Sequence, residues 1–155
     1  MRTHHYTATV TWTGNLGSGT RDYRSYSRDN TLAVAGKPSI EASSDAAFRG
    51  DRSRWNPEDL LLASLSSCHM LWYLHLASTS GVAVIGYVDE AAATMELDGD
   101  GGGRFVRVTL RPHVTLAAGS DEVRAGALHC EAHAKCFIAN SVNFPVHVEA
   151  ATTVQ

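Results

Sequence analysis

The sequence predicts an α+β protein in which antiparallel sheets wrap one long, buried central helix. Three observations lead to this fold class. A long segment in the first half of the chain is apolar on nearly every face, as in helices that lie inside a fold or an assembly. The segments on both sides of it alternate apolar and polar residues, as half-buried strands do. A second, shorter helix follows near the end, and this order of elements is typical of the α+β class.

The N-terminal third is expected to consist mainly of strands. The alternation in His4–Gly14 predicts a strand with one buried face. A glycine-rich turn follows, and Arg24–Ser44 then predicts one or two further strands around the chain-breaking Gly36-Lys37-Pro38. A charged loop, Phe48–Arg54, leads from these strands into the central helix.

The start of the central helix is marked by four consecutive residues. Asn56 is a favourable N-cap, Pro57 suits the first helical position, and Glu58 and Asp59 place negative charge on the first turn. We expect the helix to run from about Pro57 to Ser78, because no glycine or proline intervenes. Polar side chains interrupt it too often for a membrane span, and these are Ser64, Ser66, Ser67, Cys68, His69 and His75.

The second half of the chain predicts a meander, a helix and a closing strand. Val82–Leu97 and Arg104–Ala117 read as two long strands joined by a glycine-rich turn. A helix is expected from Asp121 through about Lys135, and a break follows near residues 137–144. Pro145–Val154 then closes the chain as a strand.

Length, charge and cysteine usage limit the function classes. The 155 residues suit one domain, 1–155, or one protomer that takes part of its core from a partner. A net charge of -3 argues against nucleic acid as the main partner. No apolar stretch follows a basic N-terminus, so we expect a cytoplasmic protein without a signal peptide. Three cysteines are an odd number, and they do not indicate a framework of structural disulfides.

The cysteines lie in two regions that composition alone does not connect. Cys68 is in the middle of the central helix, where the helix dipole no longer acts, so any activation must come from other side chains. Cys136 lies at the end of the second helix beside Lys135, an environment that favours a reactive thiol. Cys130 is six residues from Cys136 and points to a different helix face, so the two thiols are not expected to pair.

Two motifs in this order resemble one known family. The segment Asn56–Cys68, "NPEDLLLASLSSC", resembles the helix start of the OsmC/Ohr family, the osmotically inducible and organic hydroperoxide resistance proteins. Its cysteine follows the glutamate by ten residues, as Cys68 follows Glu58 here. The segment Ala132–Ser141, "AHAKCFIANS", resembles the second-cysteine motif of the same family. The opening and closing strands also fit, so the resemblance covers most of the chain.

The resemblance implies a thiol peroxidase that reduces alkyl or fatty-acyl hydroperoxides. Cys68 would be the peroxidatic cysteine and Cys136 the resolving cysteine, joined in an intrachain disulfide after oxidation. The reductant would be a dithiol, such as protein-bound dihydrolipoamide, and no metal or other cofactor would take part. A role in the defence against oxidative stress would follow.

The family also uses an arginine, held by the motif glutamate, that stabilises the thiolate. Arg49, next to the position used by one branch, is our candidate, and Arg21 in "RDYR" resembles the position used by another branch. Ten residues of helix rise by about 15 Å, so Glu58 is too far along its own helix to hold an arginine against Cys68. An antiparallel pairing of this helix with its copy would shorten that distance, so we expect an intertwined homodimer with shared sites.

Two alternatives from other classes remain at this point. His129, His133 and Cys136 are spaced so that they share one helix face, and they could bind a transition metal with Cys130 or His69 as a fourth ligand. The second alternative is a protein that keeps the fold and an apolar pocket but binds its ligand without turnover.

Overall fold

The computed structural model describes residues 2–155, and it confirms the α+β class. Within these residues the chain forms nine strands (β1–β9), two α-helices (α1 and α2) and two short 3-10 turns. The chain divides into two compact units, one ending at Leu61 and the other spanning Leu62–Gln155. Each unit is described by itself.

The first unit contains a three-stranded antiparallel sheet in the order β1-β2-β3. The strands are β1 (Thr9–Trp12), β2 (Asn30–Ala33) and β3 (Ile40–Ala42), and a 3-10 turn follows at Ala46–Phe48. Strand β1 is shorter than the strand predicted over His4–Gly14. Only four of its residues pair with β2, from Thr9 opposite Ala33 to Trp12 opposite Asn30. Of the one or two strands predicted around Gly36, the structure shows two, and Gly36 turns the chain between them at φ 78°.

Helix α1 (Pro57–Thr79) begins at the predicted residue and ends one residue beyond the expected end. The Asn56 side chain caps it by accepting a hydrogen bond from the Asp59 backbone N–H at 2.7 Å. Only one stripe of the helix is buried in the single chain, and Leu71 on another face is 60% exposed. The stripe consists of residues four apart: Leu65, His69, Tyr73 and Ala77. The sequence-based expectation of burial on every face is thus not met by one chain alone.

By length and composition, α1 is the one helix within residues 2–155 that could cross a membrane, with a mean hydropathy of 1.3. The core helix of an α+β protein has the same composition. Tyr73 and Ala77 of α1 pack with Val114 and Leu128 in the core of the second unit, so packing accounts for this part of its apolar surface.

The second unit holds the other elements in two three-stranded sheets. One sheet has the order β4-β7-β9 and the other β5-β6-β8. The elements are β4 (Val84–Asp89), β5 (Ala92–Leu97), β6 (Gly103–Leu110), β7 (Pro112–Leu116), α2 (Glu122–Lys135), a 3-10 turn at Ala139–Ser141, β8 (Val146–Val148) and β9 (Ala151–Val154). Helix α2 is capped as expected, since Asp121 accepts a hydrogen bond from the Arg124 backbone N–H at 2.9 Å.

The three long strands predicted for this half are each broken into two, and the halves belong to different sheets. The three breaks lie side by side, and hydrogen bonds join each break to the next. The Arg111 backbone N–H donates to Asp89 Oδ1 at 2.6 Å, and the Glu149 backbone N–H donates to the Leu110 carbonyl at 2.9 Å. Pro112 has no backbone N–H to donate to a neighbouring strand, and this favours a break at that residue. We call this level, at Asp89, Arg111 and Glu149, the crease.

The two sheets of the second unit are mixed, whereas the sequence-based expectation is antiparallel sheets throughout. Strand β8 runs parallel to β6, and β9 runs parallel to β7. The reason is the connection through α2, because a helix between two strands carries the chain back and lets the second strand run parallel to the first.

Candidate active site

The two motif cysteines come together in the second unit. Cys68 is partly exposed near the middle of α1, and Cys136 is 1% exposed at the end of α2. Their thiols are in hydrogen-bond contact. Burial raises the pKa of the Cys136 thiol to about 11, the backbone N–H of Ala139 opposes that rise, and the contact with Cys68 adds to it. Cys136 is therefore protonated at neutral pH while Cys68 is the accessible member of the pair.

The residues after Cys136 hold it in place. Cys136 ends α2 in an extended conformation, and its Sγ accepts a hydrogen bond from the Ala139 backbone N–H at 3.5 Å. The Asn140 side chain donates to the carbonyl oxygens of Ala134 and Cys136, each at 3.0 Å. These carbonyls would otherwise lack partners at the helix end. The Asn-Ser part of the motif thus stabilises the turn that carries the thiol.

An apolar cavity of about 320 Å³ is lined by residues that follow the two cysteines in the chain, and the cysteines themselves do not line it. Leu71, Trp72, His75 and Phe137 line it. The rings of Trp72 and Phe137 meet edge to face with centroids 5.4 Å apart, and Phe137 directly follows Cys136. The Lys135 ammonium lies over the Trp72 ring, 5.6 Å from its centroid. The surroundings of the thiol pair are therefore largely apolar.

A second contact joins the same two helices deeper in the core. His69 Nε2 and His129 Nδ1 share a hydrogen bond of 3.0 Å. His69 is fully buried and His129 is 5% exposed. The pKa of each imidazole is lowered to about 4, mainly by burial. His133 contributes to the lowering at His69, and His69 contributes to the lowering at His129. Both rings are neutral at neutral pH.

The histidine pair lies among other buried polar side chains. The Tyr73 ring of α1 stacks on His129 with centroids 4.1 Å apart, and Tyr87 of β4 lies beside Tyr73. Asp89 at the crease accepts a hydrogen bond from Ser66 Oγ at 2.5 Å and partly opposes the lowering of the His69 pKa. Burial raises the pKa of both tyrosines, so their hydroxyls are neutral.

The other predicted site residues, Glu58, Arg49 and Arg21, belong to the first unit. Within residues 2–155, neither Glu58 nor Arg49 forms an ion pair. Glu58 Oε2 is buried without a hydrogen-bond partner, and the Arg49 guanidinium lies over the Tyr23 ring at 5.9 Å. Arg49 has φ 66°, a left-handed conformation that is uncommon outside glycine. Arg21 is exposed in a turn. The roles of all three stay predictions.

The metal-binding alternative finds no support in the geometry. Among residues 2–155, no group of three or more potential ligand side chains is placed to hold a metal ion. His129 bonds to His69, and Cys136 contacts Cys68 instead of joining the histidines. Cys130 is exposed, on a face of α2 away from the buried Cys136.

Sequence reasoning considered His69 and His129 only as possible metal ligands and missed their pairing. The signal that marks His69 is the spacing of the buried stripe on α1, where two polar residues, His69 and Tyr73, occupy positions that a core helix normally fills with apolar side chains. Their partner lies 60 residues away in the chain, so the pattern reveals burial but not the contact.

Residues 50–151 match the family model described as OsmC-like protein. A solved OsmC-like protein of unknown function from Vibrio cholerae is 31% identical, with a TM-score of 0.87 over 96% of this chain and 99% of that one. The chain belongs to the OsmC-like protein family. A search of curated proteins gives no significant match.

Two more distant structures share the fold of this OsmC-like protein. An organic hydroperoxide resistance protein from Legionella pneumophila is 17% identical, with a TM-score of 0.71 over 99% of this chain and 100% of that one. An organic hydroperoxide resistance protein from Elizabethkingia anophelis is also 17% identical, with a TM-score of 0.71 over 99% of both chains. At this identity the likeness concerns the fold.

The buried histidine pair predicts a specific loss of stability in acid. The folded-state pKa values, about 4, lie below the 6.5 of an unfolded chain. Between pH 6.5 and 4 the unfolded chain therefore binds protons that the folded protein does not, and stability falls as pH falls through this window. The groups that face the pair are Tyr73 on α1, His133 on α2, and Tyr87 and Asp89 on β4.

The measurement is the free energy of unfolding in urea at pH 7 and pH 5. The protein should lose about 3–4 kcal/mol more over this range than a variant with His69→Gln and His129→Gln, about half of it from each histidine. The His5→Gln variant, which removes an exposed imidazole near the N-terminus, should lose as much as the parent. An equal loss in parent and double variant would contradict the assignment of the pair as neutral and buried.

Proposed function

We propose that this OsmC-like protein is a cysteine-based peroxidase that reduces organic hydroperoxides, with Cys68 as the peroxidatic and Cys136 as the resolving cysteine. The observation that carries the proposal is the contact between these two thiols beside an apolar cavity. Family membership and the organic hydroperoxide resistance proteins that share the fold support it. The activity would serve defence against peroxide stress.

In the first step the Cys68 thiolate attacks the terminal oxygen of the hydroperoxide. A sulfur–oxygen bond forms, the oxygen–oxygen bond breaks, and the leaving alkoxide takes a proton to become an alcohol. Sulfur is oxidised by two electrons to a sulfenic acid. The accessible position of Cys68 supports its choice over the buried Cys136 as the first nucleophile.

In the second step the Cys136 sulfur attacks the sulfenic sulfur of Cys68 and releases water, which leaves an intrachain disulfide. The thiol contact supports this step, because the two sulfurs meet without a large rearrangement. The raised pKa of Cys136 keeps it protonated and unreactive toward peroxide until the sulfenic acid forms beside it. A dithiol, such as protein-bound dihydrolipoamide, then supplies two electrons and restores both thiols.

The apolar cavity supports an organic substrate over hydrogen peroxide. Its walls are the indole of Trp72, the ring of Phe137 and the side chain of Leu71. Such walls stabilise an alkyl or acyl group through burial of apolar surface and offer nothing comparable to hydrogen peroxide.

The proposed enzyme is a homodimer. In one chain Leu71 of α1 is 60% exposed, and Leu61 and Leu62 are only half-buried. An apolar helix face of this kind is usually covered in an assembly. The rise of α1 separates Glu58 from Cys68 by about 15 Å of helix, so Glu58 is proposed to complete the site of the partner subunit. Arg49, or Arg21, would stabilise the thiolate.

The first prediction from the proposed function concerns the cysteines in turnover. Cys68→Ser should abolish the consumption of cumene hydroperoxide in the presence of dihydrolipoamide, because the hydroxyl is a far weaker nucleophile than the thiolate. Cys130→Ala, which removes an exposed thiol, is the matched control and should retain the parent rate. Peroxide consumption by Cys68→Ser at the parent rate would refute the assignment. Saturable binding of an apolar ligand by the parent without turnover would favour a binding protein.

The second prediction concerns the disulfide. One equivalent of hydroperoxide should link Cys68 to Cys136 within one chain, as read by non-reducing peptide mapping and mass spectrometry. The subunits should remain separable in denaturant, because both sulfurs come from the same chain. A peptide that joins Cys68 to Cys130 would overturn the choice of resolving cysteine.

The third prediction tests the shared site. Glu58→Ala and Cys68→Ser proteins should each be inactive, but heterodimers of the two should recover part of the parent activity. In these heterodimers the one remaining Cys68 would face an intact Glu58 from the other subunit. Glu58→Ala mixed with the double variant Glu58→Ala/Cys68→Ser is the matched control and should stay inactive. Equal inactivity of both mixtures, with heterodimers shown by mass spectrometry, would rule out a site shared through Glu58.

A further inference from the structure

A lysine ammonium without a carboxylate partner lies at a wall of the apolar cavity of about 320 Å³. Lys135 Nζ is 5.6 Å from the centroid of the Trp72 ring, and this ring lines the cavity. None of the ion pairs within residues 2–155 includes Lys135. The side chains that line the cavity carry no carboxylate either, so the positive charge of Lys135 is not compensated there.

The groups that would most readily pair with Lys135 have other partners. Glu131 precedes Lys135 by four residues on α2, a spacing at which glutamate and lysine pair well. Its carboxylate pairs with Arg124 instead. The carbonyl groups at the end of α2 accept hydrogen bonds from the Asn140 side chain. The Trp72 ring is therefore the contact that holds the ammonium in place.

The cavity lies in line with Cys68 along α1. Its α1 residues, Leu71, Trp72 and His75, follow Cys68 by three, four and seven positions, and these spacings place side chains on one helix face. Four residues of helix rise by about 6 Å, so Trp72 lies one turn beyond Cys68. A substrate whose peroxide group meets Cys68 would then place a group one to two turns away near Trp72 and Lys135.

We infer that Lys135 determines specificity by selecting organic hydroperoxides that carry a carboxylate one to two helix turns from the peroxide group. The rings of Trp72 and Phe137 contact the apolar body of such a molecule, and the ammonium pairs with its carboxylate. The inference rests on the proposed function in one respect, namely that this cavity holds the organic part of the substrate. Lys135 contacts the far end of the substrate and takes no part in the cleavage of the oxygen–oxygen bond.

The experiment compares two hydroperoxides that differ in charge, with the full-length protein. One is cumene hydroperoxide with a para carboxylate, and the other carries a para carboxamide, which has nearly the same shape and no charge. The quantity measured is kcat/KM for each in the presence of dihydrolipoamide. Lys135→Gln should lower the preference for the carboxylate about threefold to fivefold, the size of one exposed ion pair. Added salt should weaken the preference of the parent.

Three variants separate the charge of Lys135 from other effects. Lys135→Arg keeps a cation and should keep the preference for the carboxylate. Lys37→Gln removes the other lysine of the chain, which is exposed in the first unit, and it is the matched control that should leave the preference unchanged. His75→Gln removes the imidazole at the cavity and should also leave it unchanged. Glutamine and arginine suit a helix nearly as well as lysine, so the Lys135 variants should fold.

Probes without a peroxide group separate this inference from the proposed function. By calorimetry, p-isopropylbenzoate should bind Lys135→Gln about threefold to fivefold more weakly than the parent, whereas p-isopropylbenzamide should bind both proteins equally. If neither hydroperoxide is consumed, the proposed function fails and these titrations still decide the role of Lys135.

Three outcomes would overturn the inference. The first is an equal preference for the carboxylate in Lys135→Gln and the parent, in turnover or in binding. The second is a preference that His75→Gln abolishes and Lys135→Gln retains. The third is the absence of saturable p-isopropylbenzoate binding in a protein that consumes neither hydroperoxide, which would refute the proposed function as well.

Discussion

The hydrogen bond between His69 and His129 constrains how α1 packs against α2 in the second unit. Both rings are buried, so any slip of α1 against α2 would leave imidazole nitrogens unpaired in the core, at about 1–3 kcal/mol for each lost partner. The histidine pair therefore fixes the position of the helices that bring Cys68 to Cys136.

The crease links this helix contact to the sheets. Asp89 accepts hydrogen bonds from the Arg111 backbone on the strand side and from Ser66 on the helix side, and its charge acts on His69. One carboxylate thus ties the bend in the strands to the position of α1. The Arg111 side chain in turn pairs with Glu149 at 3.0 Å, which holds the third break at the same level.

Local signals made the helix starts predictable, and distant contacts made the rest unpredictable. Asn56 and Asp121 cap helices through hydrogen bonds that span three residues, so a short sequence window contains the whole interaction. The strand breaks at Asp89 and Arg111 depend on bonds across 22 residues, and the pattern of apolar residues continues through both. The motifs identified Cys68 and Cys136, but their contact and the histidine pair arise from packing. The motifs did not single out one arginine, because Arg49 lies beside the position of one branch and Arg21 resembles the position of another.

The neutrality of the histidine pair narrows the ways in which Cys68 can be activated. A thiolate is stabilised by a nearby positive charge or by a helix N-terminus. Cys68 lies in the middle of α1, beyond the reach of the dipole, and imidazoles with a pKa of about 4 carry no charge at neutral pH. Cys136 beside it is a neutral thiol. The histidine pair and Cys136 therefore position the Cys68 thiol without activating it, and the Lys135 ammonium of the same helix contact lies over the Trp72 ring. Supplying a cation that stabilises the Cys68 thiolate is the place of the arginine in the proposed mechanism.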